Sequence, residues 1–233
     1  MDNCLNELKL LVFDWDGTLM DSEAQIVSCM QAAAADLALP ERRPEEIRDI
    51  IGLGLKEAVT RLYPDDGETL VEALSDRYRQ HWLGQLETST LFPGVVETLQ
   101  LLKEEGFLLA VATGKGRAGL DRSLAMTGLD TVFHTTRCAD ETRSKPHPQM
   151  LHEIMQELGA TSVQTAMIGD TEYDLAMARN AKAHPVAVSY GVHEWERLQR
   201  HAPVVCLEQF TDINDWLAEL RQQPPPLTAN QTA

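Results

Sequence analysis

The chain reads as an α/β protein: a doubly wound, largely parallel sheet into which a helical segment is inserted near the amino terminus. Three observations lead there. Short apolar runs at residues 10–13, 107–112 and 165–168 each break off into glycine, threonine or acidic residues. That is the pattern of buried parallel strands, whose ligands gather beyond the carboxyl ends. From Val95 onward such runs alternate with helical periodicity, as βαβ units do. Nearly 100 residues separate the first polar strand end from the second. One crossover needs far fewer, and the apolar spacing of the excess is helical.

Taken in order, Leu10-Leu11-Val12-Phe13 is a strand that delivers Asp14 and Asp16, one residue apart, onto Gly17. Side chains alternate along a strand, so residues i and i+2 can converge on one small volume. Close carboxylates repel unless a cation or a proton separates them. Residues 22–39 place Ile26, Val27, Met30, Ala33, Ala34 and Leu37 at helical spacing, with Ser22 and Glu23 as start signals and Pro40 as a stop. Residues 43–51, 55–62 and 68–86 repeat the pattern, and 88–93 close the insertion. Beyond it the spacing predicts helices over 95–105, 117–127, 148–158, 174–180 and 209–220. Strands are expected at 107–112, 132–135, 165–168 and 185–188. Pro224-Pro225-Pro226 opens a polar end with no core pattern, expected to be a disordered tail over 224–233. The expected division is therefore 1–20 with 91–223 as the α/β core and 21–90 as a helical domain.

The 233 residues suffice for one core domain with a small insertion. A formal net charge of -16 and the lack of a basic stripe argue against a nucleic-acid partner, which would need Lys and Arg to neutralise phosphates. Cys4, Cys29, Cys138 and Cys206 lie far apart, with neither the pairing of a zinc site nor a disulfide framework, and read as reduced thiols. Met1-Asp2-Asn3-Cys4 has no apolar signal core, and no apolar run approaches the ~18 residues of a membrane span. A cytoplasmic protein with no membrane partner is expected.

Three more segments follow the first strand end. Thr113-Gly114-Lys115 ends the second apolar run. Lys145-Pro146-His147-Pro148 precedes an amphipathic stretch. Residues 165–168 run into Gly169-Asp170-Thr171-Glu172-Tyr173-Asp174. With Asp14-Trp15-Asp16-Gly17-Thr18-Leu19, these segments resemble the four ordered motifs of the haloacid dehalogenase-like (HAD) phosphohydrolases. The resemblance covers the whole chain except its tail. It implies a Rossmann-like doubly wound core with an α-helical cap domain. The stretches 16–22, 51–54 and 91–95 are most similar to phosphoglycolate phosphatase-type members.

The resemblance implies a Mg²⁺-dependent phosphatase of a small phosphorylated metabolite, with 2-phosphoglycolate as the named candidate. Asp14 would be the nucleophile that forms an aspartyl-phosphate. Asp16 would be the general acid and base. Thr113 and Lys145 would stabilise the transferring phosphoryl group. Asp14, Asp170 and the Asp16 backbone carbonyl would hold Mg²⁺ through hard oxygen atoms. Asp174 would orient metal-bound water or Lys145, or it is simply a helix-start acid. Thr18 would orient Asp16, Gly114 would bring its N–H to a phosphate, and Lys56 would read a substrate anion unless Gly52 to Gly54 is only a flexible connector. Lys115 and Arg117 add charge or merely start a helix. The family usually ends the helix after its fourth motif at glycine, whereas this chain has Asn180-Ala181-Lys182. The alternatives are a sugar-phosphate mutase or pyrophosphatase on the same machinery, or a catalytically silent binding protein. Ile26 occupies the place where the mutases carry histidine.

Overall fold

The computed structural model describes residues 5–84 and 89–222. Its strands are β1 (Leu10–Phe13), β2 (Met20–Asp21), β3 (Thr90–Leu91), β4 (Leu108–Thr113), β5 (Thr135–Cys138), β6 (Thr165–Gly169), β7 (His184–Val188) and β8 (Val205–Leu207). Its α-helices are α1 (Glu23–Asp36), α2 (Pro44–Arg48), α3 (Leu55–Leu62), α4 (Glu68–Gly84), α5 (Val95–Glu104), α6 (Arg117–Thr127), α7 (Gln149–Leu158), α8 (Glu172–Asn180), α9 (Trp195–Leu198) and α10 (Asp212–Gln222). Six strands form one parallel sheet in the order β5-β4-β1-β6-β7-β8. The chain winds outward from β1 to β5, returns past β1 to β6, and winds the other way. This is the doubly wound arrangement, with its crevice beyond the carboxyl ends of β1, β4 and β6.

Alternation along the strands divides the core into two layers. Leu11 and Phe13 of β1, Leu109 and Val111 of β4, and Ile168 of β6 face α5, α6 and α10, where Leu99, Leu120 and Trp216 pack. Leu10 and Val12, Ala110 and Ala112, and Met167 face α7 and α8, where Leu151, Ile154 and Met177 pack. Burial on both faces explains why these strands read as continuous apolar runs. Helices α1 to α4 close on a third cluster, among them Met30, Ile47, Val59 and Leu74. The two chain crossings between these helices and the sheet are tied into a short antiparallel ribbon, β2 with β3.

Two strand readings need correction. The apolar start of 132–135 is not a strand: Val132 drops into the core after α6, and β5 begins at Thr135, in register with Ala110 of β4. β5 is an edge strand with only Cys138 buried, so its polar sequence carries no alternation to detect. β8 at the other edge is apolar, Val205-Cys206-Leu207, but too short to stand out as a strand. The expected tail at 224–233, Cys4, and residues 85–88 of the helix and closing segment lie outside the described residues. Among the described residues no helix is long and apolar enough to cross a membrane.

Candidate active site

Asp14, Thr113 and Asp170 sit where parallel strands stop. Asp14 follows β1 directly, and its N–H donates to the Ile168 carbonyl as though the strand continued. Gly17 then takes φ of +82°, and a Cβ there would lie 2.2 Å from Oδ2 of Asp170. Only glycine lets this turn lie against the end of β6. Asp170 is thereby set beside Asp14, and α8 begins two residues later.

The central group is three carboxylates around one ammonium. Lys145 Nζ is 2.7 Å from Oδ1 of Asp14 and 2.6 Å from Oδ1 of Asp174, and all three side chains are fully buried. Oxygens of Asp14, Asp170 and Asp174 lie within 4.8 Å of one another. Burial, with the Asp174 charge next, raises the Asp14 carboxyl well above its ordinary range. The same causes push Asp170 up to about 7. Burial works against the Lys145 charge, but Asp14 and Asp174 outweigh it and hold the ammonium above its usual range. Three buried acids against one base leave room for more positive charge.

Positioning bonds fix each member. The Trp15 N–H donates to Asp14 Oδ1 at 2.7 Å, while Asp14 Oδ2, also buried, accepts no hydrogen bond among the described residues. Asp170 accepts from the Thr18 hydroxyl at 2.8 Å and from the Val192 N–H at 2.9 Å. Asp174 Oδ2 accepts from the Thr171 hydroxyl at 2.6 Å and its N–H at 3.1 Å, closing a capping box at the start of α8. Asp174 is therefore both a helix-start acid and the partner of Lys145. Asp16 Oδ1 takes the Ser22 hydroxyl at 2.6 Å and lies 3.0 Å from Lys115 Nζ. The Lys115 N–H donates to the Thr113 hydroxyl oxygen at 3.1 Å, which frees the Thr113 proton for another acceptor.

Asp14, Asp16 and Thr113 line a cleft of about 410 Å³ whose opposite wall comes from α1, α3, α4 and residues 50–54. Ser144 reaches across, its hydroxyl accepting from the Gly54 N–H at 2.7 Å.

Several expectations are revised. Thr18 does not orient Asp16: its side chain is fully buried and its hydroxyl is committed to Asp170. A Cβ on Gly114 would come within 2.4 Å of the Leu53 carbonyl oxygen, so this glycine is required by the close approach of residues 52–53. Lys56 lines the cleft, but its side chain is 60% exposed with its ammonium 4.0 Å from Glu72, a solvated rim position. Lys115 and Arg117 part company. Lys115 lies in the site, whereas Arg117 turns to Glu141, Asp121 and Thr136. Of the two roles open to Lys115 the structure shows the charge on the site, while Ser22, Ser144 and Trp82 join the site with no signal in the sequence that assigns them to it. Ser22 stands at the end of the first motif stretch, where its helix-start position predicts a cap, but its hydroxyl makes no capping bond and turns to Asp16 instead.

A model of the haloacid dehalogenase-like hydrolases matches residues 11–188. The chain is 38% identical over 210 residues to "Probable phosphatase IndB" of Dickeya dadantii, covering 88% of this chain and 91% of that one. It is 30% identical over 213 residues to the phosphoglycolate phosphatase of Aliivibrio fischeri, covering 88% and 94%. The crystal structure of a hydrolase from Pseudomonas syringae superposes with a TM-score of 0.84 at 26% identity, covering 91% and 98%. The chain belongs to the haloacid dehalogenase-like hydrolases.

Proposed function

We propose that this chain is a Mg²⁺-dependent phosphatase that hydrolyses a small phosphorylated metabolite through an aspartyl-phosphate. The observation that carries the reading is Asp14, buried beside Lys145, Asp170 and Asp174, with one oxygen anchored and the other without a hydrogen-bond partner among the described residues, on the same cleft as Asp16. The names of the relatives support the phosphatase class, and 2-phosphoglycolate is the substrate that the Aliivibrio relative's name adds.

The donor set fits a hard divalent cation, since every candidate ligand is oxygen and the acids outnumber the base. Asp14, Asp170 and the Asp16 carbonyl would hold it. Asp174 pairs directly with the Lys145 ammonium and caps α8 through Thr171, which suits a residue that orients its neighbours. Bound Mg²⁺ would offset the repulsion between the phosphate dianion and the carboxylates and polarise the phosphoryl oxygens.

In the first half-reaction an Asp14 oxygen forms a bond to phosphorus as the bond to the leaving oxygen breaks. Asp16 gives its proton to that leaving oxygen. Lys145 and the Thr113 hydroxyl meet the charge on the transferring oxygens. In the second, Asp16 removes a proton from water as its oxygen attacks phosphorus and releases Asp14. Ser22 and Lys115, both on Oδ1 of Asp16, fix that carboxyl while leaving Oδ2 for the proton.

The test is p-nitrophenyl phosphate hydrolysis with Mg²⁺, with excess EDTA, and by a folded Asp14→Asn variant. Turnover is expected only for the wild type with Mg²⁺. Full rate in EDTA overturns the metal requirement, and wild-type rate in Asp14→Asn overturns the covalent route.

A further inference from the structure

The wall of the cleft opposite the aspartates is not built for a second anion. Ile26, Met30, Ile50, Leu53, Leu55 and Trp82 form much of it. The cations that line the cleft are Lys56, Arg79 and Lys115, and of these only the Lys115 side chain is buried. Lys115 Nζ is 3.0 Å from Asp16 and 3.9 Å from the centre of the Trp82 ring. Arg79 pairs with Asp76 at 2.7 Å, with half its side chain in solvent. Lys56 stands exposed near Glu72. Glu57 and Asp140 add negative charge to the lining.

Electrostatics and size agree. A substrate such as 2-phosphoglycolate or pyrophosphate carries a second anionic group, which in this cleft would leave water for an apolar wall whose one buried cation, Lys115, already faces Asp16. The volume of about 410 Å³ lies within the ~300–1,000 Å³ range of pockets that bury a drug-sized ligand. Trp82 and Tyr78 are stacked along this wall, with centroids 6.1 Å apart and planes at 21°. With Ile26, Met30, Leu53 and Leu55 they bound an apolar space large enough for a ring.

Resting on the phosphatase reading, we propose that the substrate is a monophosphate ester whose leaving group is uncharged and carries a ring-sized apolar body, seated against the α1, α3 and α4 wall. The phosphoryl end meets Asp14, Asp16 and Thr113, and the body fills the apolar half of the cleft. Discrimination against small substrates that carry a second anionic group comes from the wall's lack of a buried, unpaired cation among the described residues.

The experiment measures kcat/KM with Mg²⁺ for ethyl, benzyl and 2-naphthylmethyl phosphate, three esters of primary alcohols, beside 2-phosphoglycolate, pyrophosphate and p-nitrophenyl phosphate. Benzyl phosphate is expected to exceed ethyl phosphate by about tenfold or more, mainly through KM, as apolar complementarity does. It is also expected to exceed 2-phosphoglycolate and pyrophosphate. Leu83 lines the cleft and is 50% exposed, so Leu83→Lys adds a cation without disturbing packing. That variant should shift the ratio of 2-phosphoglycolate to benzyl phosphate rates several-fold toward 2-phosphoglycolate. A flat ester series, or a preference of the wild type for 2-phosphoglycolate or pyrophosphate, overturns this inference and leaves the phosphatase reading standing. No turnover of any phosphate ester, p-nitrophenyl phosphate included, overturns both.

Discussion

Asp16 has two tasks that require opposite protonation states, and that duality is testable at a single residue. Asp16→Asn removes proton donation to the leaving oxygen, which a p-nitrophenolate hardly needs and an alkoxide needs strongly. Single-turnover phosphorylation by p-nitrophenyl phosphate should fall much less than phosphorylation by an alkyl phosphate, while hydrolysis of the phospho-enzyme slows for both. Equal fractional losses in the phosphorylation step would reject the proton-donor role. The legibility of residues follows the same local logic. Asp14, Asp16 and Asp170 could be singled out because each stands at the end of an apolar run, where chain order alone places it at a strand terminus. Lys115 could not be assigned because its partners, Asp16 and Trp82, come from distant segments that meet only in the fold. Thr18 differs for a related reason: its nearness in sequence points to Asp16, but the turn at Gly17 aims its hydroxyl at Asp170 on the neighbouring strand end.

Among elements, α8 shows how the chain ends a helix without the expected glycine. The Ala183 N–H donates to the Ala178 carbonyl and the Lys182 N–H to that of Arg179, the paired bonds of a Schellman motif. Lys182 occupies the left-handed position at φ +59°. A non-glycine residue there costs about 1 kcal/mol, so Lys182→Gly should stabilise the protein by roughly that amount in urea unfolding. A loss of stability would show that Lys182 side-chain contacts outweigh the backbone strain. The motif was foreseeable as a need but not as a residue, since nothing local forces lysine into this conformation. The central strands and the long helices were legible because burial on both faces, or on one helical stripe, writes itself into sequence. β5, β8 and the β2/β3 ribbon were not, being short edge pieces held by backbone pairing that any side chain permits.

For the whole molecule, buried titratable groups tie stability to pH. Burial pushes the Cys138 thiol up to about 12, against the opposing pull of Arg117 and from an ordinary value of 9.0. The unfolded chain loses this proton first as pH rises, so the native state binds more protons between those values. Stability must then fall with rising pH, by up to about 1.4 kcal/mol per unit from this one group. Cys138→Ala should lower the melting temperature at pH 7 through lost packing. Its melting temperature should then decline less steeply than the wild type's between pH 8 and 10. Parallel slopes for the two proteins would show that the thiol is not the group responsible.

Charge burial at the site sets a second global dependence, on the cation. Asp14, Asp170 and Asp174 bury three carboxylates against the single ammonium of Lys145, and removing charge from water costs several kcal/mol per ion unless it is compensated. A ligand that binds only the folded state adds stability as its concentration exceeds its dissociation constant, about 2.7 kcal/mol at a hundredfold excess. Mg²⁺ should therefore raise the melting temperature of the wild type relative to EDTA by several degrees. Asp170→Asn should abolish that rise, because the amide is a poor ligand for a hard cation. In EDTA the variant's own stability should change less than the Mg²⁺ increment. Relief of one buried charge is offset by the Val192 N–H, which donates to Asp170 Oδ2 and would face an amide NH₂ instead. Differential scanning fluorimetry of both proteins with Mg²⁺, with Ca²⁺ and with EDTA gives the comparison. A wild type indifferent to Mg²⁺, or an Asp170→Asn variant that responds as the wild type does, would remove Asp170 from the cation site.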